Sequence, residues 1–239
     1  MPKPSPREVI DNAAREGRAK LLEHEAYALI EQYGVPIPRI GLAKNPEEAG
    51  VLADKVGYPV VLKIVSPDIV HKSDVGGVVL DLKSREEVVK AAEAMLMTVR
   101  SKAPTARICG VLVQNMVPQG VEVIVGGLRD NVFDAVVMFG IGGIFVEVLR
   151  DVSFRVAPIT VHEALEMISE VKAKKILEGY RNNPPVDKKA LAEIVVAVSR
   201  ILLENPEIHS IDLNPVMAYP SGAIVADARI MLRKEQVAP

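Results

Sequence analysis

The chain has 239 residues, 49% hydrophobic, 25% charged and 4% aromatic, with a formal net charge of −2. That length builds one large domain or two lobes with a core of their own, and the near-neutral charge offers no basic field for nucleic acid or an anionic membrane. The single cysteine, Cys109, excludes an internal disulfide framework and a cysteine metal cluster, and the absence of tryptophan argues against a base-stacking platform.

Taken in chain order, Ser5 and Pro6 predict a first helix, Ser5 as its cap and Pro6 at its first position. The N-terminal stretch has no apolar core of the signal-peptide kind, and no later apolar run is long enough for a bilayer, so a cytoplasmic chain is expected. Leu21, Leu22, Ala26, Leu29 and Ile30 recur at helical spacing and predict a helix over 20–33, closed by Gly34 and barred from continuing by Pro36 and Pro38. Asn45 caps a third helix. Gly57-Tyr58-Pro59 turns the chain into the strand VVLKIVS, which carries one charge, Lys63. Gly76-Gly77 opens the strand VVLDL, and Ser84 with Glu87 forms a capping box for the next helix.

From Ile108 the segments ICGVLVQNMV, VEVIVGGL and DAVVMFGIG read as consecutive strands. Thr160 with Glu163 makes a second capping box ahead of a helix over 161–171, and Asp187 caps a long helix to about Leu203. HSIDLNPVMAY and AIVADARIML read as two last strands. The order predicts an α+β fold of two lobes split near residue 113, with a mixed sheet rather than a regular βαβ array.

Four segments carry candidate chemistry. Lys63 lies in an apolar strand and must place its ammonium somewhere polar, either snorkelling or in a salt bridge, or as a point charge on a ligand phosphate. His71 lies in SPDIVHKSDVGGVVL, between two strands. It reads as a solvated loop histidine or as a nucleophile or acid–base group, and its neighbours lack both zinc-ligand helical spacing and the P-loop pattern. Asp212 and Asn214 share one face of an extended segment, with Asp227 on the adjoining strand. These hard oxygens suit Mg²⁺ held with substrate phosphates, and Asn214 alone also suits an Asx turn before Pro215. VLVQNMVPQG reads either as a connector whose backbone meets an adenine edge or as a plain strand, with Glu122 just beyond it. GIGG at 140–143 is a glycine-rich turn without dinucleotide spacing. His24, His162 and His209 read as solvated or structural, and Cys109 as a small buried hydrophobe.

Lys63 on its strand, VQNMV followed by Glu122, the run GIGGIFVEVLRDVSFRVAP, the DLNP…ADAR ending and above all VHKSDVGGV resemble an ATP-grasp domain. The chain is similar, over about residues 15–235, to the β subunits of NDP-forming acyl-CoA synthetases, in particular the archaeal ADP-forming acetyl-CoA synthetases, relatives of succinyl-CoA synthetase. The resemblance implies an α+β ATP-grasp fold with nucleotide bound between two lobes. It divides the chain into an N-terminal helical extension at 1–20, a first lobe at 21–112 with a phosphohistidine loop at 66–77, and a second lobe at 113–239 with the metal site. Lys63 would contact nucleotide phosphates. Val113, Gln114, Asn115, Met116 and Val117 would hold the adenine, with Glu122 near the ribose. Asn214 and Asp227 would bind Mg²⁺. His71 would carry a phosphoryl group, with Asp212 facing it. The run from Glu147 to Arg155 would line the same cleft, and Ser73, Asp74, Gly76 and Gly77 would let the loop move or cradle phosphate.

The implied reaction is acyl-CoA + ADP + phosphate = acid + ATP + CoA. It needs a CoA-binding α subunit with the first phosphohistidine, expected in an α₂β₂ assembly, and no nucleic acid or membrane partner. The glycine- and arginine-rich loop of succinyl-CoA synthetase is replaced here by SPDIVHKSDVGG, which moves the chain towards the branch with a second histidine. Two rival readings stand beside this one: an ATP-grasp ligase that makes an acyl phosphate directly, and a nucleotide-sensing regulatory subunit without chemistry.

Overall fold

Local signals place most of the helices. The computed structural model describes residues 5–143, 151–179 and 184–233. Ser5 and Glu8 form a reciprocal capping box at the start of α1 (Pro6–Arg15). α2 spans Glu23–Gln32, and Gly34 follows with φ +81°. Asn45 accepts the Glu48 N–H to cap α3 (Pro46–Val56). Ser84 caps α4 (Arg85–Lys102), but the expected box is not closed at Ser84: the Glu87 carboxylate reaches one residue further back, to the Lys83 N–H at 2.8 Å. Thr160 and Glu163 do form a complete box before α5 (Val161–Glu170), and Asp187 caps α6 (Lys188–Glu204).

The described chain groups into two compact units. One holds Leu22–His24 and Pro38–Val117, the other the described residues before Leu22, Glu25–Ile37 and those after Val117. The boundary therefore falls after Val117 rather than at 112/113, and most of α2 belongs with the C-terminal half of the chain.

In the first of these units, β1 (Ile40–Ala43), β2 (Val60–Val65), β3 (Val78–Leu82) and β4 (Gly110–Asn115) form a sheet in the order β1-β4-β2-β3. Every residue of β2 is buried. Val60, Leu62 and Ile64 join the core built with α3 and α4 through Ala53, Val88, Ala92, Met95 and Val99. Side chains alternate along a strand, so Lys63 lies on the face turned away from those helices.

In the second unit, β5 (Val121–Asp130), β6 (Asp134–Ile141), β7 (Val152–Val156), β8 (Ile208–Ala218), β9 (Ala223–Val225) and β10 (Ala228–Leu232) form a sheet in the order β10-β8-β5-β6-β7, with β9 paired to β8. Gly127 lets α6 approach this sheet: a Cβ there would stand 2.7 Å from Leu202 and 3.1 Å from Val198. Gly127 pairs with Ile211 and Gly126 with Asp212, so α6 covers the face of Ile211 and Leu213, and Asp212 projects to the opposite one.

The pairings in both sheets are antiparallel, which corrects the expected mixed sheet. β1 and β7 were not expected. AIVADARIML is two strands, interrupted at Ala226 and Asp227, where the Asn214 N–H donates to the Asp227 carbonyl at 3.1 Å and the Ala226 N–H to the Pro215 carbonyl at 2.9 Å.

Candidate functional site

The first unit gathers two ammonium groups around one carboxylate. Glu23, the first residue of α2, has a side chain only 2% exposed; Lys63 Nζ donates to its Oε1 at 2.6 Å, and Lys72 Nζ donates to its Oε2. The lysine side chains are 10% and 22% exposed. Lys63 is thus salt-bridged, one of its two sequence-level readings. A buried ammonium of this kind is costly without its carboxylate, and its compact charge on a flexible stem remains suited to a phosphate.

His71 is exposed on the segment that leaves β2 just after Val65 and returns at β3. The segment's shape comes from local chemistry. Asp68 accepts the Arg107 N–H at 2.6 Å and Ile69 is buried, which anchors the outgoing arm. Ser73–Val75 form a 3₁₀ turn, and Gly76 takes φ +72°, a left-handed conformation that glycine adopts without strain. Gly77 closes the arm: its N–H donates to the Lys72 carbonyl and its carbonyl accepts the Ile64 N–H, both at 2.7 Å.

The 113–117 stretch is a plain inner strand for most of its length. Val113 pairs with Gly41 and Leu62, and Gln114 with Ile40 and Val61. The Asn115 N–H donates to the Arg39 carbonyl, and the Met116 N–H to the Pro59 carbonyl at 2.8 Å. The connector reading with an exposed backbone is therefore corrected from Val113 to Asn115. Met116 and Val117 carry the chain out of the sheet.

In the second unit, Glu122 is exposed near the start of β5, and its carbonyl accepts the Gly142 N–H at 2.7 Å. The GIGG turn packs closely here: a Cβ on Gly142 would lie 3.0 Å from Glu122 backbone and side-chain atoms. Glu122 pairs with Met217, well along β8 from Asp212, so the structure does not bring these two carboxylates together. Of the run 147–155, residues 147–150 lie outside the described residues. Within the rest, the buried Asp151 carboxylate accepts the N–H groups of Lys172 and Ala173, both at 2.7 Å.

Asp212, Asn214 and Asp227 do come together. Asp212 and Asn214 share the β8 face opposite α6, Asn214 is exposed beside the cis Asn214–Pro215 bond, and its N–H bonds the Asp227 carbonyl. Burial pushes the Asp212 carboxyl above its usual range, the Arg229 guanidinium works against that, and the charge of Asp227 adds to it. Two carboxylates close enough to feel each other, with an amide oxygen alongside, suit a hard divalent cation. Among the described residues no group of three or more His, Cys, Asp or Glu side chains forms a complete metal cage. Such a donor set fits a cation that takes its remaining ligands from phosphates and water.

Sequence reasoning missed Glu23 and Lys72. The signal for Glu23 was the lone lysine in an apolar strand, whose ammonium needed a polar place, a carboxylate being one of the choices.

A family model described as an ATP-grasp domain matches residues 12–232. The chain is 51% identical over 226 residues to the β subunit of ADP-forming acetate–CoA ligase I of Pyrococcus furiosus, covering 95% of this chain and 97% of that one. It is 47% identical over 228 residues to ADP-forming acetate–CoA ligase I of Archaeoglobus fulgidus, covering 95% of this chain and 33% of that longer one. Among solved structures, acetyl-coenzyme A synthetase 1 of Ca. Korarchaeum cryptofilum with coenzyme A, Ca-AMPCP and HgCl⁺ matches at a TM-score of 0.93 and 53% identity, over 95% of this chain and 99% of that one. Another structure of that synthetase, with coenzyme A and Mg-AMPPCP, has its phosphohistidine segment pointing towards the nucleotide binding site; it matches at a TM-score of 0.85 and 50% identity, over 95% of this chain and 100% of that one.

Proposed function

Because the chain belongs to the ATP-grasp family, and resembles a β subunit of an ADP-forming acetate–CoA ligase nearly end to end, we propose that it is the nucleotide-binding β subunit of an ADP-forming acetyl-CoA synthetase. It acts with a CoA-binding α subunit in an α₂β₂ assembly, in the reaction acetyl-CoA + ADP + phosphate = acetate + ATP + CoA. The observation that carries this reading is exposed His71, set on the segment that follows the strand of Lys63.

His71 takes a phosphoryl group from the partner subunit on a ring nitrogen and gives it to ADP. In the second step a β-phosphate oxygen of ADP attacks phosphorus, the P–N bond breaks, and its electron pair returns to the ring. A covalent carrier divides one transfer between distant sites into two local ones. Asp212, whose proton affinity is raised by burial, accepts the other ring N–H, fixes the tautomer and balances positive charge on the ring. Lys63 neutralises nucleotide phosphate charge. Met116 and Val117, where β4 ends, meet the adenine, with Val113, Gln114 and Asn115 as the strand that positions them, and Glu122 meets the ribose. Asn214 and Asp227 hold Mg²⁺, which when bound draws charge from the phosphates and aligns them.

The test is labelling of the full chain with γ-labelled ATP and Mg²⁺, alone and with its partner subunit. Acid-labile, alkali-stable label in the wild type and none in His71→Ala is the expected result. Equal labelling of the variant, or no label in either form with the partner present and ATP bound, overturns the carrier role.

A further inference from the structure

The Glu23 carboxylate binds one lysine with each oxygen: Lys63 from β2 and Lys72, the residue after His71. The ends of the His71 segment are held by neutral or backbone contacts, Asp68 on the Arg107 N–H at one side and Gly77 between Lys72 and Ile64 at the other. At its tip, where Val70, His71, Ser73 and Asp74 are exposed, Lys102 Nζ reaches the Asp74 carbonyl at 3.2 Å, an exposed contact to a neutral acceptor. The Lys72–Glu23 contact differs in kind. It joins two full charges, and its carboxylate is almost wholly removed from solvent, where salt screens little.

We infer that Glu23 is a positioning residue, a latch that fixes the His71 segment and couples its mobility to what Lys63 binds. The inference rests on the reading of Lys63 and His71 above. An anion drawing on the Lys63 ammonium leaves more of the Glu23 charge to Lys72, so nucleotide phosphate tightens the latch. A phosphoryl group on His71 brings about two negative charges beside Lys72 and competes with Glu23 for the same ammonium, so the loaded segment is released. Because the coupling is a free energy between two sites it is reciprocal: a segment held down favours nucleotide at Lys63.

Glu23→Gln would leave Lys63 buried against a neutral amide and risks unfolding the lobe, so the informative variant is Lys72→Met, at the more exposed end of the contact. Amide hydrogen exchange is measured on the full chain, wild type, Lys72→Met and Lys72→Arg, with and without ADP and Mg²⁺. Without nucleotide, Lys72→Met should exchange about ten-fold faster over residues 70–77, the equilibrium equivalent of one net charge-assisted hydrogen bond. β2 and β4 should stay unchanged, and Lys72→Arg should recover most of the protection. Unchanged exchange in the segment, or faster exchange spread over the whole lobe, overturns the latch. ADP should protect the segment in the wild type and lose that effect in Lys72→Met; equal protection in both overturns the coupling. If ADP fails to bind the wild type, the nucleotide reading of Lys63 falls and the coupling with it, while the nucleotide-free comparison still decides the latch.

Discussion

Asp212 and Arg229 stand directly opposite each other across the β8–β10 ladder. The guanidinium opposes the rise in proton affinity that burial and Asp227 impose on the Asp212 carboxyl. A carboxyl whose folded pKa lies above its unfolded one binds its proton more tightly when folded. Its contribution to stability is therefore fully present below the ordinary value of 3.8 and is lost as pH rises through the raised folded value. At neutral pH the ionised Asp212 is a cost that the fold carries. Asp212→Asn should raise Tm at pH 7, by no more than about 3 °C for a chain of this size, with the gain shrinking as pH falls through the raised folded value and gone below 3.8. A calorimetric pH series checks this. The same variant should depress turnover in the assembled enzyme, because an amide does not balance a ring cation; a lower Tm at pH 7 would count against the electrostatic account.

Asn214 and Asp227 are predicted to act through the cation. Calorimetric titration of ADP with Mg²⁺ or with a chelator separates that role from direct contact with nucleotide. Asp227→Ala should cost ADP affinity at least the roughly 10–100-fold that loss of supporting partners costs a metal site, and only when Mg²⁺ is present. Asn214→Ala should lower affinity in the same direction. Equal losses with chelator would remove both residues from the metal.

What was legible in the sequence was mostly local. Ser5, Asn45, Thr160 and Asp187 announce their helices because a cap and the N–H groups it satisfies lie within a few residues. β1, four residues long, and β7, five, exist through their neighbours: IGLA is held by β4 and VSFRV by β6, and no period can be read in so few residues. The break between β9 and β10 has the same origin, since the backbone bonds that interrupt the strand at Ala226 and Asp227 come from Asn214 and Pro215 on β8. That Asp212, Asn214 and Asp227 are neighbours was legible because strand alternation and a short turn bring them together. Glu23 was not, because its partner Lys63 is forty positions away and nothing in LLEHEA marks one glutamate as the buried one.

Arg129 shows how a charge serves the fold that presents the second site. Its buried guanidinium donates to the carbonyls of Leu202, Asn205 and Ile208 and pairs with Asp134, so one side chain satisfies the C-terminal end of α6. Arg129→Met takes this donor from the carbonyls of Leu202, Asn205 and Ile208, while Asp134 is left facing solvent, so it should lower the unfolding free energy by about 1–3 kcal/mol, as read from denaturant titration. Arg129→Lys should recover little of it, since a single ammonium lacks the planar fork that spans several carbonyls.

Gly77 sets the closing arm of the His71 segment. A Cβ there would run into Ile64 Cγ2 and stand 3.0 Å from the Lys72 carbonyl, while the Gly77 N–H is bonded to that same carbonyl. Gly77→Ala must therefore push either β2 or the backbone of Lys72, at about 1–3 kcal/mol for overpacking a filled site. Ile64 belongs to the core with α3 and α4, so Lys72 is the side expected to move, which carries its ammonium away from Glu23. Gly77→Ala should lower stability modestly in denaturant titration and, with the partner subunit present, slow phosphoryl labelling at His71 more than it weakens ADP binding. Gly76→Ala is the comparison: its φ of +72° and a Thr98 Cγ2 at 3.1 Å make it costly by roughly 1–2 kcal/mol for the left-handed backbone, without pressing on the Lys72 carbonyl. If both variants slow labelling equally, the effect belongs to general loosening of the segment and not to the position of Lys72.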